Sequence, residues 1–203
     1  MLTIAMVKTR PHYDHTYVNR LAKAVQRNIT IPHKIVCLTD DPRGVAVECK
    51  TLPARLGGWW GKIALFKAGM LRPPVLYLDL DTVICGNLDF VADYKGDFAI
   101  LRDFYRDDGF GSGVMMWNRD NHQVWDKWDR TGRPTHPLGD QGWMEIMMPD
   151  ADILQEVFPD KLVSYKVHCE GGLPKNAAIC CFHGVPKPHD FPDGHWVNDL
   201  WTS

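Results

Sequence analysis

Long apolar runs are absent from this 203-residue sequence, so nothing in it can span a bilayer as a single helix. The opening stretch, Met1-Leu2-Thr3-Ile4-Ala5-Met6-Val7, is too short for a signal peptide and lacks its cationic head. A basic run is missing as well, and with a net charge of −2 there is no footprint for nucleic acid. The six cysteines, at positions 37, 49, 85, 169, 180 and 181, form no Cys-x-x-Cys pair. Several lie inside apolar segments, which reads as free thiols in a reducing compartment and excludes a disulfide scaffold or a thiolate zinc site. A cytoplasmic location is expected. No repeat, low-complexity tract or linker divides the chain, so residues 1–203 are expected to form one domain.

What is present is ordinary globular material: 45% apolar and 24% charged residues, enough to build a real core. Thr3 to Lys8 reads as a strand, Tyr17 to Asn28 has helical apolar spacing, and His33 to Thr39 reads as a second strand closed by Asp40-Asp41-Pro42-Arg43-Gly44. Val45 to Cys49 is a short strand candidate, and Trp59 to Met70 is again helical in its apolar spacing. Further strands are expected at Asp97 to Leu101, Gly113 to Trp117, Lys161 to Val167 and Ala178 to Phe182. Helices are expected at Asn121 to Arg130 and from a cap at Asp140 through Ile146. Strands alternating with helices predict an α/β fold around a mainly parallel sheet, in which ligands bind beyond the carboxyl ends of the strands.

The stretch that organises the rest is Pro73-Pro74-Val75-Leu76-Tyr77-Leu78-Asp79-Leu80-Asp81-Thr82-Val83-Ile84. It reads as one buried strand that nevertheless carries two acids. Burying an unpartnered carboxylate is costly, so such acids are neutralised or bind a cation. Alternation along a strand puts Asp79 and Asp81 on one side and Leu80 on the other. Paired carboxylates are hard oxygen ligands for a divalent ion. An Asp-x-Asp closing a strand also occurs as a solvated turn. It fits the opening motif of haloacid-dehalogenase-type phosphatases too, where the first Asp is a nucleophile.

Four other features bear on the choice. Gly57-Gly58-Trp59-Trp60-Gly61-Lys62 places a lysine on the helix that leads into the acidic strand, suited to a diphosphate or simply solvated. Gly111-Ser112-Gly113 allows close approach of backbone to ligand, or forms a plain turn. Gly139-Asp140-Gln141-Gly142-Trp143 joins an acid and an amide at a helix start. Ile179-Cys180-Cys181-Phe182-His183-Gly184-Val185-Pro186-Lys187-Pro188 brings an imidazole to a strand end, followed by a bent basic loop.

Each feature is weak alone, but their order is informative. It resembles the retaining glycosyltransferases of family 8, the glycogenin and lipopolysaccharide-galactosyltransferase type, from the first strand to Pro188. The resemblance implies a single GT-A domain and a metal-dependent transferase using Mn²⁺ or Mg²⁺ and a nucleoside-diphosphate-sugar donor, a UDP-sugar first of all. The acceptor is left open: saccharide, lipid-linked glycan or protein. By the same resemblance Asp79, Asp81 and His183 look like metal ligands. Lys62, Gly184 and Lys187 look like phosphate contacts, and Val7, Thr9 and Tyr13 stand where the nucleobase is seated. Asp103 and Ser112 are similar to donor-sugar contacts, and Asp140 and Gln141 match the pair beside the reacting carbon.

Departures from the family pattern are visible. His183 adjoins Gly184 directly, and Cys181 holds the usual histidine position relative to that glycine. His189 replaces a terminal Trp, and Gly111 replaces the Asn of Asn-Ser-Gly. A phosphatase would instead need its acid pair on the first strand and a downstream acidic pair, for which Asp140 and Glu145 are the nearest candidates. A non-catalytic nucleotide-sugar-binding domain is the third reading. Trp59, Trp60, Trp117, Trp143 and Trp196 are candidates for stacking on sugar rings or for packing.

Overall fold

In this computed structural model, residues 1–53 and 56–203 are described. The first strand, β1 (Leu2–Lys8), is buried along all seven residues. Asp14 caps the following helix α1 (His15–Asn28), its side chain accepting from the Thr16 N–H, and Val18, Leu21 and Val25 turn inward. Next come β2 (His33–Thr39), β3 (Glu48–Thr51), a 3-10 helix over Gly58–Phe66, β4 (Val75–Leu78) and β5 (Val83–Ile84). The second half holds β6 (Phe98–Arg102), β7 (Phe110–Trp117), α2 (Gln123–Arg130), α3 (Gly139–Met147), β8 (Asp152–Ile153), β9 (Leu162–Ser164) and β10 (Ile179–Cys181). A helix over Trp196–Thr202 follows near the end of the chain.

Seven strands form one sheet in the order β3-β2-β1-β4-β7-β6-β8. All neighbours in it are parallel except that β7 runs against both β4 and β6. Reversal of β7 has a consequence for chemistry. The carboxyl ends of β4 and β6 and the amino end of β7 all reach the same edge, so Asp79, Asp103 and Ser112 meet there although far apart in sequence. A register shift between Ile100 and Leu101 bends the β6–β7 pairing just before that edge.

The sheet separates two cores. Ile4 and Met6 of β1 pack with α1 on one face, while Ala5 and Val7 pack with the 3-10 helix, α2 and α3 on the other. This is the period-two alternation of a strand buried on both sides. A smaller sheet, β5-β10-β9, sits beside the main one. Because β10 runs antiparallel to β5, with Cys180 opposite Val83, the residues after Cys181 pass alongside those before Val83. That pairing carries His183 toward Asp81.

Several expectations are corrected. The acidic stretch is not one strand: β4 ends at Leu78, and a turn closed by Thr82 N–H to the Asp79 carbonyl (3.1 Å) separates it from β5. The acids still share a side because Leu80 is drawn into the core in this turn. Trp59 to Met70 forms a shorter 3-10 helix, and the third strand lies at Glu48–Thr51 instead of 45–49. Lys161 to Val167 splits into β9 and a helical turn, Tyr165–His168. Asp140 does not cap α3; it lies in the first turn, where it turns to a lysine.

Leu76, 1% exposed, stands between Ile4 and Met116 at the middle of the sheet. Leu76→Ala is expected to destabilise the fold by about 2–5 kcal/mol, read as a lower urea midpoint with an unchanged slope.

Candidate active site

A cavity of about 200 Å³ opens at the shared edge of β4, β6 and β7. Lys62, Asp79, Asp81, Asp103, Ser112, Gln141 and His183 line it. Those seven were all singled out in the sequence. Cys181, Thr82, Phe104 and Tyr105 complete the wall near the imidazole.

Lys62 is the hub. Its ammonium lies 3.0 Å from the Asp79 carboxylate, donates to Ser112 Oγ at 3.1 Å and stands 3.6 Å from Asp140 Oδ2. Gly61 makes this approach possible, since a Cβ there would fall 2.9 Å from Thr9 Cγ2 and 3.1 Å from Val7 Cγ1. Burial alone would lower the Lys62 pKa, but the carboxylates of Asp140 and Asp79 outweigh it and hold the amine protonated. Burial raises the Asp79 pKa to about 6 against the pull of Lys62, and Asp81 adds to the rise. Tyr77 O–H donates to Asp79 Oδ1 at 2.5 Å. Tyr77 was not among the expected site residues, although its place two residues ahead of Asp79 on the strand is a sequence signal for a same-face neighbour.

Asp81 has partners of its own. Tyr13 O–H donates to its Oδ2 at 3.0 Å, and Lys187 forms a short ion pair with the same oxygen. Tyr13 and Lys187 therefore reach the site through Asp81 without lining the cavity. Burial, then the Asp81 charge, pushes the Tyr13 hydroxyl well above its ordinary pKa. Gly184, at φ +60, makes the bend between His183 and Lys187. Val7 and Thr9 are buried at the end of β1, beneath the 3-10 helix and outside the cavity.

Asp103 is set by its loop: it accepts from the Tyr105 N–H at 2.8 Å and from Arg106 Nε at 3.1 Å. Arg106 also pairs with Glu145 of α3 at 2.6 Å, and Glu145 accepts from the Phe110 N–H at 3.0 Å. Neither Arg106 nor its role was foreseen, though its spacing three residues after Asp103 was a signal. Gln141 donates to the Phe110 carbonyl at 2.7 Å and reaches Asp103 Oδ2 at 3.5 Å.

Could these residues hold a divalent ion? Among the described residues, no three His, Cys, Asp or Glu side chains stand gathered as a ready ligand set. Lysines cover the acids instead, and among the described residues three carboxylates (Asp79, Asp81, Asp140) face two ammonium groups. His183 Nε2 is buried with no hydrogen-bond partner among the described residues, and its ring lies 5.0 Å from Phe104 and 6.0 Å from Tyr105. Burial lowers its pKa, which favours the neutral imidazole that a metal requires. Cys181 differs: burial, with Asp79 and Asp81, raises its pKa and keeps a poor thiol ligand protonated. Two hard carboxylates and an orphaned neutral imidazole on one wall fit Mn²⁺ or Mg²⁺ in donor chemistry.

Replacing the hub strands its partners. Lys62→Met is expected to cost about 3–5 kcal/mol, the range for leaving buried charge uncompensated. Adding Asp140→Asn to Lys62→Met should recover part of that loss, as read from thermal or urea unfolding of the single and double variants.

No family model and no curated protein matches the chain. Solved structures do. The glycosyltransferase GlyE of Streptococcus pneumoniae TIGR4 superposes with a TM-score of 0.69 at 15% identity, over 99% of this chain and 60% of GlyE. The galactosyltransferase LgtC, in complex with donor and acceptor sugar analogs, matches with a TM-score of 0.66 at 15% identity, covering 98% and 95% of the two chains. The bifunctional glycosyltransferase WbbM gives 0.73 at 12% identity, over 98% of this chain and 48% of WbbM. This chain thus spans about three fifths of GlyE and nearly all of LgtC. These superpositions, over nearly the whole of this chain, establish that it has the GT-A fold of the glycosyltransferases GlyE, LgtC and WbbM.

Proposed function

We propose that this chain is a metal-dependent glycosyltransferase. In this reading residues 1–203 act as a single domain that moves a sugar from a nucleoside-diphosphate-sugar donor, a UDP-sugar by preference, with retention at the anomeric carbon. The observation that carries it is the cavity itself, where Asp79, Asp81, His183, Lys62, Asp103, Ser112 and Gln141 share one wall at the strand edge. Fold likeness alone would leave the activity open.

Asp79, Asp81 and His183 would hold Mn²⁺ or Mg²⁺, which when bound supplies Lewis-acid charge neutralisation to the departing diphosphate. Lys62 and Lys187 add preorganised positive charge, and the bend at Gly184 lets backbone amides approach the phosphates. A nucleobase seat at the end of β1 would lie beside the cavity, with Tyr13 reaching it from Asp81 and Val7 and Thr9, their side chains buried, supplying backbone. Asp103, steadied by Arg106 and the Tyr105 N–H, accepts from donor-sugar hydroxyls, with Ser112 beside it. Gln141 faces the reacting carbon from the cavity wall. Asp140 lies behind Lys62, and its negative charge favours positive charge developing at that carbon. Six free cysteines suit a cytoplasmic setting, and no described helix is long and apolar enough to cross a membrane.

The phosphatase alternative fares poorly. Its acid pair would follow the first strand in chain order, whereas Asp79 follows β4, and Glu145 is engaged with Arg106 and the Phe110 N–H.

Incubation with a panel of nucleotide-sugars and Mn²⁺ separates the readings. Metal-dependent release of nucleoside diphosphate is the expected result. Phosphate release from a phosphoester would favour the phosphatase, and tight nucleotide-sugar binding without turnover would favour a non-catalytic domain. Asp79→Asn and Asp81→Asn should each lower turnover by at least roughly a hundredfold, and His183→Ala should raise the Mn²⁺ needed for half-maximal rate by about ten- to a hundredfold. Cys181→Ser is expected to be mild. Near-normal turnover of either Asp variant in chelator-treated buffer would overturn the metal assignment.

A further inference from the structure

Five tryptophans were candidates for stacking on sugars, and four of them are occupied by protein. Trp117 and Trp143 are buried, Trp60 stacks on Trp128 with centroids 5.6 Å apart, and Trp196 lies against Tyr165 and His195. Trp59 is different: it is 61% exposed.

This exposure is not slack. The indole lies against the backbone of Gly139, where a Cβ would fall 2.8 Å from Nε1 and 3.1 Å from Cδ1. Gly139 also has φ +63, so two independent reasons favour glycine at this residue beneath the ring. Such a seat holds the indole from one side and leaves most of it in water. An exposed indole seated on backbone offers its free face to a flat, partly apolar ligand.

Its address narrows the ligand. In a 3-10 helix, residues three apart eclipse, so Trp59 and Lys62 share a face of the helix over Gly58–Phe66. On the other side, Gly139 adjoins Asp140, which faces Lys62 at 3.6 Å, and opens the helix that carries Gln141. Lys62 and Gln141 both line the cavity, whereas Trp59 does not. The ring therefore stands at the rim, between the two elements that supply the cavity wall, and outside the residues assigned to the donor. Leu138, 42% exposed, is the apolar neighbour in sequence to its glycine seat. One indole and one leucine match a sugar ring in size and are far smaller than a protein interface.

We propose that Trp59 is the platform on which a sugar ring of the acceptor stacks, so that the acceptor presents a saccharide to this enzyme. The assignment rests on the transferase reading above. Donor and acceptor then approach from different quarters, the donor within the cavity and the acceptor across the indole at its rim.

Saturation-transfer NMR tests this with methyl glucoside, methyl galactoside, maltose and lactose as probes, in the presence of UDP and Mn²⁺. Calorimetric binding of UDP with Mn²⁺ is followed on the same samples. Wild type should transfer saturation to the ring protons of at least one probe, and Trp59→Ala should weaken that binding by about tenfold or more. Trp59→Tyr, which keeps an aromatic face, should stay within roughly threefold of wild type. Retained UDP binding in Trp59→Ala would show that the loss is confined to the saccharide. Unchanged saccharide binding in Trp59→Ala, or no saturation of any probe in wild type, overturns the platform. Failure of wild type to bind UDP, with saccharide binding still dependent on Trp59, would instead overturn the transferase reading and leave the platform standing.

Discussion

The buried ammonium of Lys62 ties together three parts of the chain at the edge of the sheet. It contacts Asp79 at the end of β4, Ser112 in β7 and Asp140 in α3. Buried carboxylates at a sheet edge would repel one another and pull water inward, and the lysine prevents both. Its own arrival depends on Gly61, which lets the 3-10 helix settle against Val7 and Thr9. The same contact thus sets the height of that helix above the sheet, and with it the rim of the cavity.

A second clasp, Asp81 with Tyr13 and Lys187, closes the far side. The two clasps differ in kind. Lys62 is enclosed and faces two carboxylates, whereas Lys187 arrives on a loop bent at Gly184 and belongs to a segment of turns and short helices. Positive charge from the fold therefore stands on both sides of the acid pair. On the cavity wall His183 keeps a buried nitrogen without a hydrogen-bond partner among the described residues, a costly arrangement.

Much of the site was legible because the chemistry is carried by residue type and order. Asp-x-Asp after an apolar run, a lysine about 17 residues earlier, Asp-Gln at a helix start and a late His-Gly-x-x-Lys each survive translation into one dimension. Long-range pairings did not. Arg106 looks like any loop arginine until Glu145 is brought beside it by α3, and Tyr77 looks like a core residue until its hydroxyl is seen on Asp79. The choice among the tryptophans was likewise invisible, since burial is a property of the packed molecule. Only packing leaves Trp59 in the open while Trp60, its immediate neighbour, stacks on Trp128.

The class of fold, the parallel core strands with their double-sided apolar runs, and the identity of the acids can be read from the residues in one dimension, because periodicity and side-chain chemistry are local. How the acids come to share a side cannot. Pleating along a continuous strand was the expected cause, but a turn closed by the Thr82 N–H and the burial of Leu80 accomplish it. Tertiary structure alone decided that β7 runs backward to put Ser112 beside Asp79, and that β10 pairs with β5 so that His183 draws toward Asp81. Those contacts span tens of residues, and they form because buried strand edges must satisfy their hydrogen bonds, a demand that acts on the whole sheet and leaves little trace in any one segment.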